Sequence, residues 1–265
     1  MGLIMDFERI NSFLESYVKD DFGRLKEIYE DAEKRGVPVI RRNTKELLRL
    51  LILITAPKRI LEVGTAVGYS ALFMDSIMNK SVYDGEDGSS DAGAFVGHDE
   101  REGRDGNTDI IAEHDCREDN DFKGREIITI ELDEARADEA EANFDKCLGE
   151  KRNIKLLRGD AYEVMKSMTV EEYGRFDMVF IDAAKAQYGN YFEEAMRLTR
   201  KGSIIICDNI LAGGEILESH FLVEKRDRTI HDRMRAFLKE LKDDERLDTA
   251  LLSVGDGMSV SVRIM

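Results

Sequence analysis

Two short stretches put acidic side chains where they could do chemistry. In "FDMVFIDAAKAQY" Asp182 follows an apolar run, and in "GSIIICDNI" Asp208 and Asn209 follow another. Two carboxylates brought together away from water repel each other unless a cation neutralises them. Two carboxylates and an amide oxygen, without His or Cys, are hard ligands that suit magnesium, manganese or calcium better than zinc. The plainer alternative makes each Asp a helix cap or loop residue. Lys185, three positions beyond Asp182, is placed to reach the same crevice and accept a proton there, or else to be an ordinary surface lysine.

A third stretch, "ILEVGTAVGYS" at 60–70, runs from an apolar strand pattern through a glycine turn into a helix pattern. In nucleotide-binding folds an acidic residue about 20 positions past the first glycine grips a ribose. Counting from Gly64 reaches Asp84, inside "YDGEDGSSDAG", which has no strand character. Residues 80–125 are rich in Gly, Asp, Glu and Ser and poor in aliphatics, so they are expected to form a flexible acidic insertion. A calcium loop is the alternative, although the spacing misses the twelve-residue pattern. Glu131 lies 67 positions after Gly64, or 21 once a 46-residue insertion is set aside, and it ends "IITIE" just ahead of Asp133, a helix-cap candidate. Glu131 is therefore the expected ribose carboxylate. The loop lacks the middle glycine of GxGxxG and carries Glu62 two residues before Gly64, which argues against a dinucleotide.

The elements that must hold these residues alternate in type. Strand patterns fall at 59–63, 127–131, 154–158, 176–181, 202–207, 247–253 and 257–263, with helical patterns at 68–78, 133–148, 160–168, 187–200 and 229–242. This predicts an α/β fold: a Rossmann-like, seven-stranded, mostly parallel sheet with helices on both faces. The "GDG" joining the last two strands predicts a closing antiparallel hairpin. Residues 1–35 read as an N-terminal helical extension of one or two amphipathic helices, and "NTKELLRLLILI" reads as a helix capped by Asn43. A single domain over 1–265 is the expectation.

Composition narrows the setting. No signal peptide or membrane span is visible, which predicts a cytoplasmic protein. Cys116, Cys147 and Cys207 lack metal or redox spacing and read as structural thiols. His98, His114, His220 and His231 show no metal-like grouping and receive no role. The net charge of −16 counts against nucleic acid, but 81–126 alone holds 15 acidic against 5 basic residues. Residues 225–239 run the other way, with six Lys/Arg against two Asp, and are placed to meet a phosphate backbone or to form a solvated helix face.

In order along the chain, "ILEVGTAVGYS", "IELD", "GDA", "FIDAAKAQY" and "CDNI" resemble the motifs of class I metal-dependent O-methyltransferases related to the catechol and caffeoyl-CoA enzymes, and "GDGMSVSVRI" resembles their closing hairpin. The likeness runs from about residue 36 to the end, apart from the insertion. "VPVIRRNTKELLRLL" and "EKRDRTIHDRMRAFL" look most like the bacterial tRNA 5-hydroxyuridine methyltransferases. The resemblance implies S-adenosylmethionine contacts at Ile40, Glu62, Gly64, Ser70, Glu131, Asp160, Ala161 and Asp182, with Ile40 departing from the methionine often found there. It also implies metal ligation by Asp182, Asp208 and Asn209, Lys185 as base, and a homodimer. Three functions stay open. The first is methylation of hydroxylated wobble uridine in tRNA, and the second is methylation of a small catechol or phenol. The third is a nicotinamide-dependent oxidoreductase or a non-catalytic nucleotide binder, against which the missing GxGxxG counts.

Overall fold

The computed structural model describes residues 7–21, 23–79, 124–149 and 152–265. Three helices lead in: α1 (Phe7–Glu15), α2 (Gly23–Arg35) and α3 (Arg42–Thr55). There follow β1 (Arg59–Val63), α4 (Tyr69–Met78), β2 (Glu126–Glu131), α5 (Glu134–Leu148), β3 (Ile154–Arg158), α6 (Ala161–Ser167) and the short α7 (Val170–Tyr173). The second half holds β4 (Phe176–Ile181), α8 (Tyr188–Leu198), β5 (Thr199–Cys207), α9 (Arg228–Asp243), β6 (Leu247–Leu252) and β7 (Met258–Arg263). A single-turn 3-10 segment at Lys185–Gln187 follows β4, and a longer one at Ala212–Leu217, kinked at Gly213 and Gly214, follows β5.

The sheet order is β3-β2-β1-β4-β5-β7-β6. Strands β1 to β5 pair in parallel, and β7 runs antiparallel to both β5 and β6. The order reverses between β1 and β4, so the crevice opens beyond their carboxyl ends, where open α/β sheets take their ligands. Both strands are buried along nearly their whole length, which is why they read as unbroken apolar runs rather than alternating ones. Leu61, Val63, Val179 and Ile181 pack beneath α8 and α9 on Tyr188, Phe192 and Phe237. Ile60, Met178, Phe180 and Ile206 pack on the opposite face against α3, α4 and α5.

One boundary differs in kind from the expectation. Asn43 lies inside α3 rather than capping it: the cap position is Arg41, whose carbonyl accepts from the Lys45 amide at 2.9 Å, and Asn43 Nδ2 instead donates to Asn11 Oδ1 at 3.5 Å. Asp133 does cap α5, accepting from the Arg136 amide at 2.9 Å. The acidic stretch at 80–125 falls outside the described residues up to 123, and so does Cys116. Cys207 is fully buried and its thiol is pushed up to about 12 by that burial, while Cys147 is half-buried with its thiol raised for the same reason. Among the described residues no helix is long and apolar enough to cross a membrane.

Candidate active site

The glycine loop and the end of β4 are pressed together. Gly64 has φ +99°, and a Cβ there would lie 2.1 Å from the Asp182 carbonyl oxygen, so only glycine fits. The ladders continue past the strand ends: the Gly64 amide donates to the Ile130 carbonyl at 3.1 Å, and the Asp182 amide to the Val63 carbonyl at 2.9 Å. The Gly159 amide reaches the Glu131 carbonyl at 2.8 Å, which brings Asp160 and Ala161 beside Glu131.

Around this loop the carboxylates divide the work. Glu131 is buried; one oxygen accepts from the Ala66 amide at 2.8 Å, and the other accepts from the Leu132 and Asp133 amides at 3.1 and 2.9 Å. Its carboxylate thus ties the glycine loop to the turn after β2. Asp160 is exposed and caps α6, accepting from the amides of Tyr162 and Glu163. Glu62 is fully buried; one oxygen accepts from Thr129 Oγ1 at 2.5 Å, while Oε1 has no hydrogen-bond partner. Burial pushes its carboxyl up to about 7, opposed by the hydroxyls of Ser70 and Thr129 and reinforced by the charges of Asp182 and Glu131. Ile40 is buried in the same apolar cluster as Val67 of the loop and Tyr69 at the start of α4.

At the ends of β4 and β5 the structure brings together the residues expected to meet. Asn209 sits at φ +56°, a left-handed conformation that Asn tolerates better than most residues, and its Nδ2 donates to Asp182 Oδ1 at 2.7 Å. Asp208 is buried, with Oδ1 accepting from its neighbour's amide at 2.9 Å and from Thr44 Oγ1 at 3.5 Å. Burial raises both carboxyls; the negative charge of Asp182 raises Asp208 further, and Lys185 pulls Asp182 back. Such a pair favours a cation beside it. The amide nitrogen and oxygen of Asn209 exchange places by a simple flip, so the group can offer oxygen to that cation.

Three contributors escaped the sequence analysis. Thr44 comes from α3, far away in sequence, and Tyr188 Oη donates to the Asp208 carbonyl at 2.8 Å. Asp256, valued above only as part of a turn, lies 3.8 Å from Lys185 Nζ and accepts from the Gly213 amide at 2.7 Å. The hairpin is further sewn to the chain after β5 by the Ile210 and Leu211 amides, which donate to the carbonyls of Gly257 and Asp256. Only the "GDG" itself could have signalled this, since an Asp between two glycines is free to present its carboxylate.

The basic segment behaves differently from a free cationic face. Arg228, Arg233 and Arg235 donate to the backbone carbonyls of Val223, Ala186 and Ile216 at 2.9 to 3.2 Å, the last two of which tie α9 to the 3-10 segments. Lys225 and Lys239 remain exposed. For His220 and His231 the expectation of no grouping is overturned, since they meet at Asp232 where the chain after β5 folds back onto the first turns of α9, while His98 and His114 lie outside the described residues.

The parallel sheet ending in an antiparallel hairpin is a fold shared with solved structures. Residues 121–264 match the sequence model of the O-methyltransferase family, and the chain belongs to that family. Its members transfer a methyl group from S-adenosylmethionine to oxygen, and this chain is an enzyme of that class. The catechol O-methyltransferase of Niastella koreensis is 26% identical over 216 residues, covering 81% of this chain and 78% of that one. Caffeoyl-CoA O-methyltransferase 1 of Zea mays is 34% identical over 119 residues, which span 44% of this chain and less than half of the maize enzyme. Among solved structures, a Podospora anserina methyltransferase with bound S-adenosylhomocysteine superposes with a TM-score of 0.72 at 23% identity, covering all of both chains. An O-methyltransferase of Bacillus cereus, also with S-adenosylhomocysteine, superposes at 0.69 and 21% identity over 97% of this chain and all of that one.

Proposed function

We propose that the enzyme methylates a hydroxyl of a small catechol-type acceptor, with S-adenosylmethionine in the glycine-loop crevice and a divalent cation at Asp182, Asp208 and Asn209. The observation that carries this is the meeting of half-buried Asp182 with buried Asp208, both carboxyls raised by burial and joined through Asn209, at the mouth of that crevice. Magnesium, manganese or calcium fits the donor set, and when bound it would lower the pKa of the acceptor hydroxyl and hold its oxygen for in-line attack.

The chain's own residues supply the rest. Gly64 lets the backbone approach the methyl donor, and Glu131 orders the loop while keeping a lone pair on Oε2 for the ribose. The unpartnered Glu62 Oε1 suits the ammonium of the donor's amino-acid part, with Ser70 beside it. Asp160 and Ala161 stand beside Glu131 at the base end, and Ile40 gives an apolar contact. Lys185, in its neutral amine form, takes the hydroxyl proton on Nζ, and Asp256 at 3.8 Å pairs with the ammonium that results.

A tRNA acceptor, hydroxyuridine at the wobble position, is the second reading. It is favoured by the net positive 225–239 segment and its exposed Lys225 and Lys239, and weakened by the three arginines engaged with backbone carbonyls. Labelled S-adenosylmethionine offered with magnesium to a catechol and to tRNA bearing hydroxyuridine decides between them. Efficient label transfer to the catechol supports the first reading; transfer to tRNA alone replaces it with the second.

A further inference from the structure

We propose that His220, His231 and Asp232 form a second metal site, for a zinc-class transition ion, that clips the chain following β5 onto α9. Three ligand atoms, one from each residue, lie within 4.8 Å of one another. Nδ1 of His220 and Nδ1 of His231 each lie 2.9 Å from Asp232 Oδ1. Around a tetrahedral ion with bonds of about 2.0–2.1 Å, donor atoms stand roughly 3.3 Å apart, so small rotations would admit the ion. His220 and Asp232 have room for them, their side chains being 42% and 55% exposed.

His231 supplies the independent observation. It is only 3% exposed, and its Nε2 lies 3.1 Å from the Glu218 carbonyl oxygen. A carbonyl only accepts, so Nε2 carries the ring proton of a neutral His231, and the Nδ1 lone pair then faces a carboxylate oxygen. Two acceptors 2.9 Å apart need a proton or a metal ion between them. Anchoring of the far ring nitrogen by a carbonyl is the usual support of a metal-bound histidine. Two imidazoles and one carboxylate suit zinc, copper or nickel, unlike the all-oxygen set at the strand ends, and solvent can complete the fourth position. The clipped segment presents Leu217, Phe221 and Leu222, each at least 70% exposed, and it leads directly from Asp208 and Asn209.

Cobalt(II) titrated into the full chain tests the site by visible absorption. One equivalent should give the intense bands of a four-coordinate ion with nitrogen ligands in wild type and in Asp208→Ala. His220→Ala and Asp232→Asn, both altered at accessible side chains, should bind at least tenfold more weakly with unchanged far-ultraviolet dichroism. Zinc should slow amide exchange over 218–222 in wild type and leave it unchanged in His220→Ala. Bands absent from wild type, undiminished in both of those variants, or lost in Asp208→Ala would overturn the proposal; so would exchange indifferent to zinc. The first of these outcomes leaves a proton, rather than a metal ion, between His231 Nδ1 and Asp232.

Discussion

Glu62 carries a buried carboxylate that the fold alone does not reward. Its carboxyl titrates near 7 in the folded chain against 4.5 for the free side chain, so the folded state holds the proton more tightly. The stability linked to that proton is complete below pH 4.5 and is lost as pH rises through 7. Glu62→Gln should therefore stabilise the cofactor-free protein by about 1–3 kcal/mol at pH 8 and change little at pH 5. The same variant should bind S-adenosylmethionine about tenfold more weakly, because the donor's ammonium loses its charged partner. Thermal melts at the two pH values and a calorimetric titration check both halves; a melt unchanged at pH 8 contradicts the assignment. Asp208→Ala should behave conversely. Methyl transfer should fall by at least about a thousandfold, on the order of 4 kcal/mol of barrier, while the cofactor dissociation constant stays within about threefold.

Among the elements, the turn after β1 is fixed by what crosses it. Gly64→Ala would push a methyl into the Asp182 carbonyl at a left-handed backbone position and should cost about 2–4 kcal/mol in chemical denaturation, with activity lost as the loop shifts. A neutral outcome would mean that β1 and β4 do not approach as described. This part of the site was legible in the sequence because each residue stands at the end of an apolar run: Gly64 after β1, Glu131 closing β2, Asp182 after β4 and Asp208 after β5. A parallel sheet then gathers such ends without further information. Thr44, Tyr188 and Asp256 were not legible, because their roles depend on packing between elements remote in sequence. The same holds for His220 with His231, which sequence spacing keeps apart and a folded-back segment joins. Asn43 failed as a cap for a local reason: the cap position is two residues earlier, at Arg41, whose carbonyl accepts the first helical bond.

For the molecule as a whole, the reading of 80–125 as an insertion makes a stability prediction. The flanks touch, since the Arg125 guanidinium donates to the Met78 carbonyl. Loop-closure entropy changes by only about 0.6 kcal/mol per doubling of length, so a short Gly/Ser link in place of 80–123 should shift the melting temperature by a few degrees at most. A collapse of the melt would show that the stretch belongs to the core. The expected homodimer has a candidate surface in Phe13, Leu14, Tyr17, Leu50, Leu53 and Ile54, all exposed, and light scattering should return twice 30.2 kDa. The central claim is metal-assisted methyl transfer at the strand ends. The direct test is the rate of labelled methyl transfer from S-adenosylmethionine to a catechol by chelator-stripped enzyme as magnesium is returned. The account predicts no transfer without the ion and recovery that saturates with it; transfer at full rate in the stripped enzyme would contradict it.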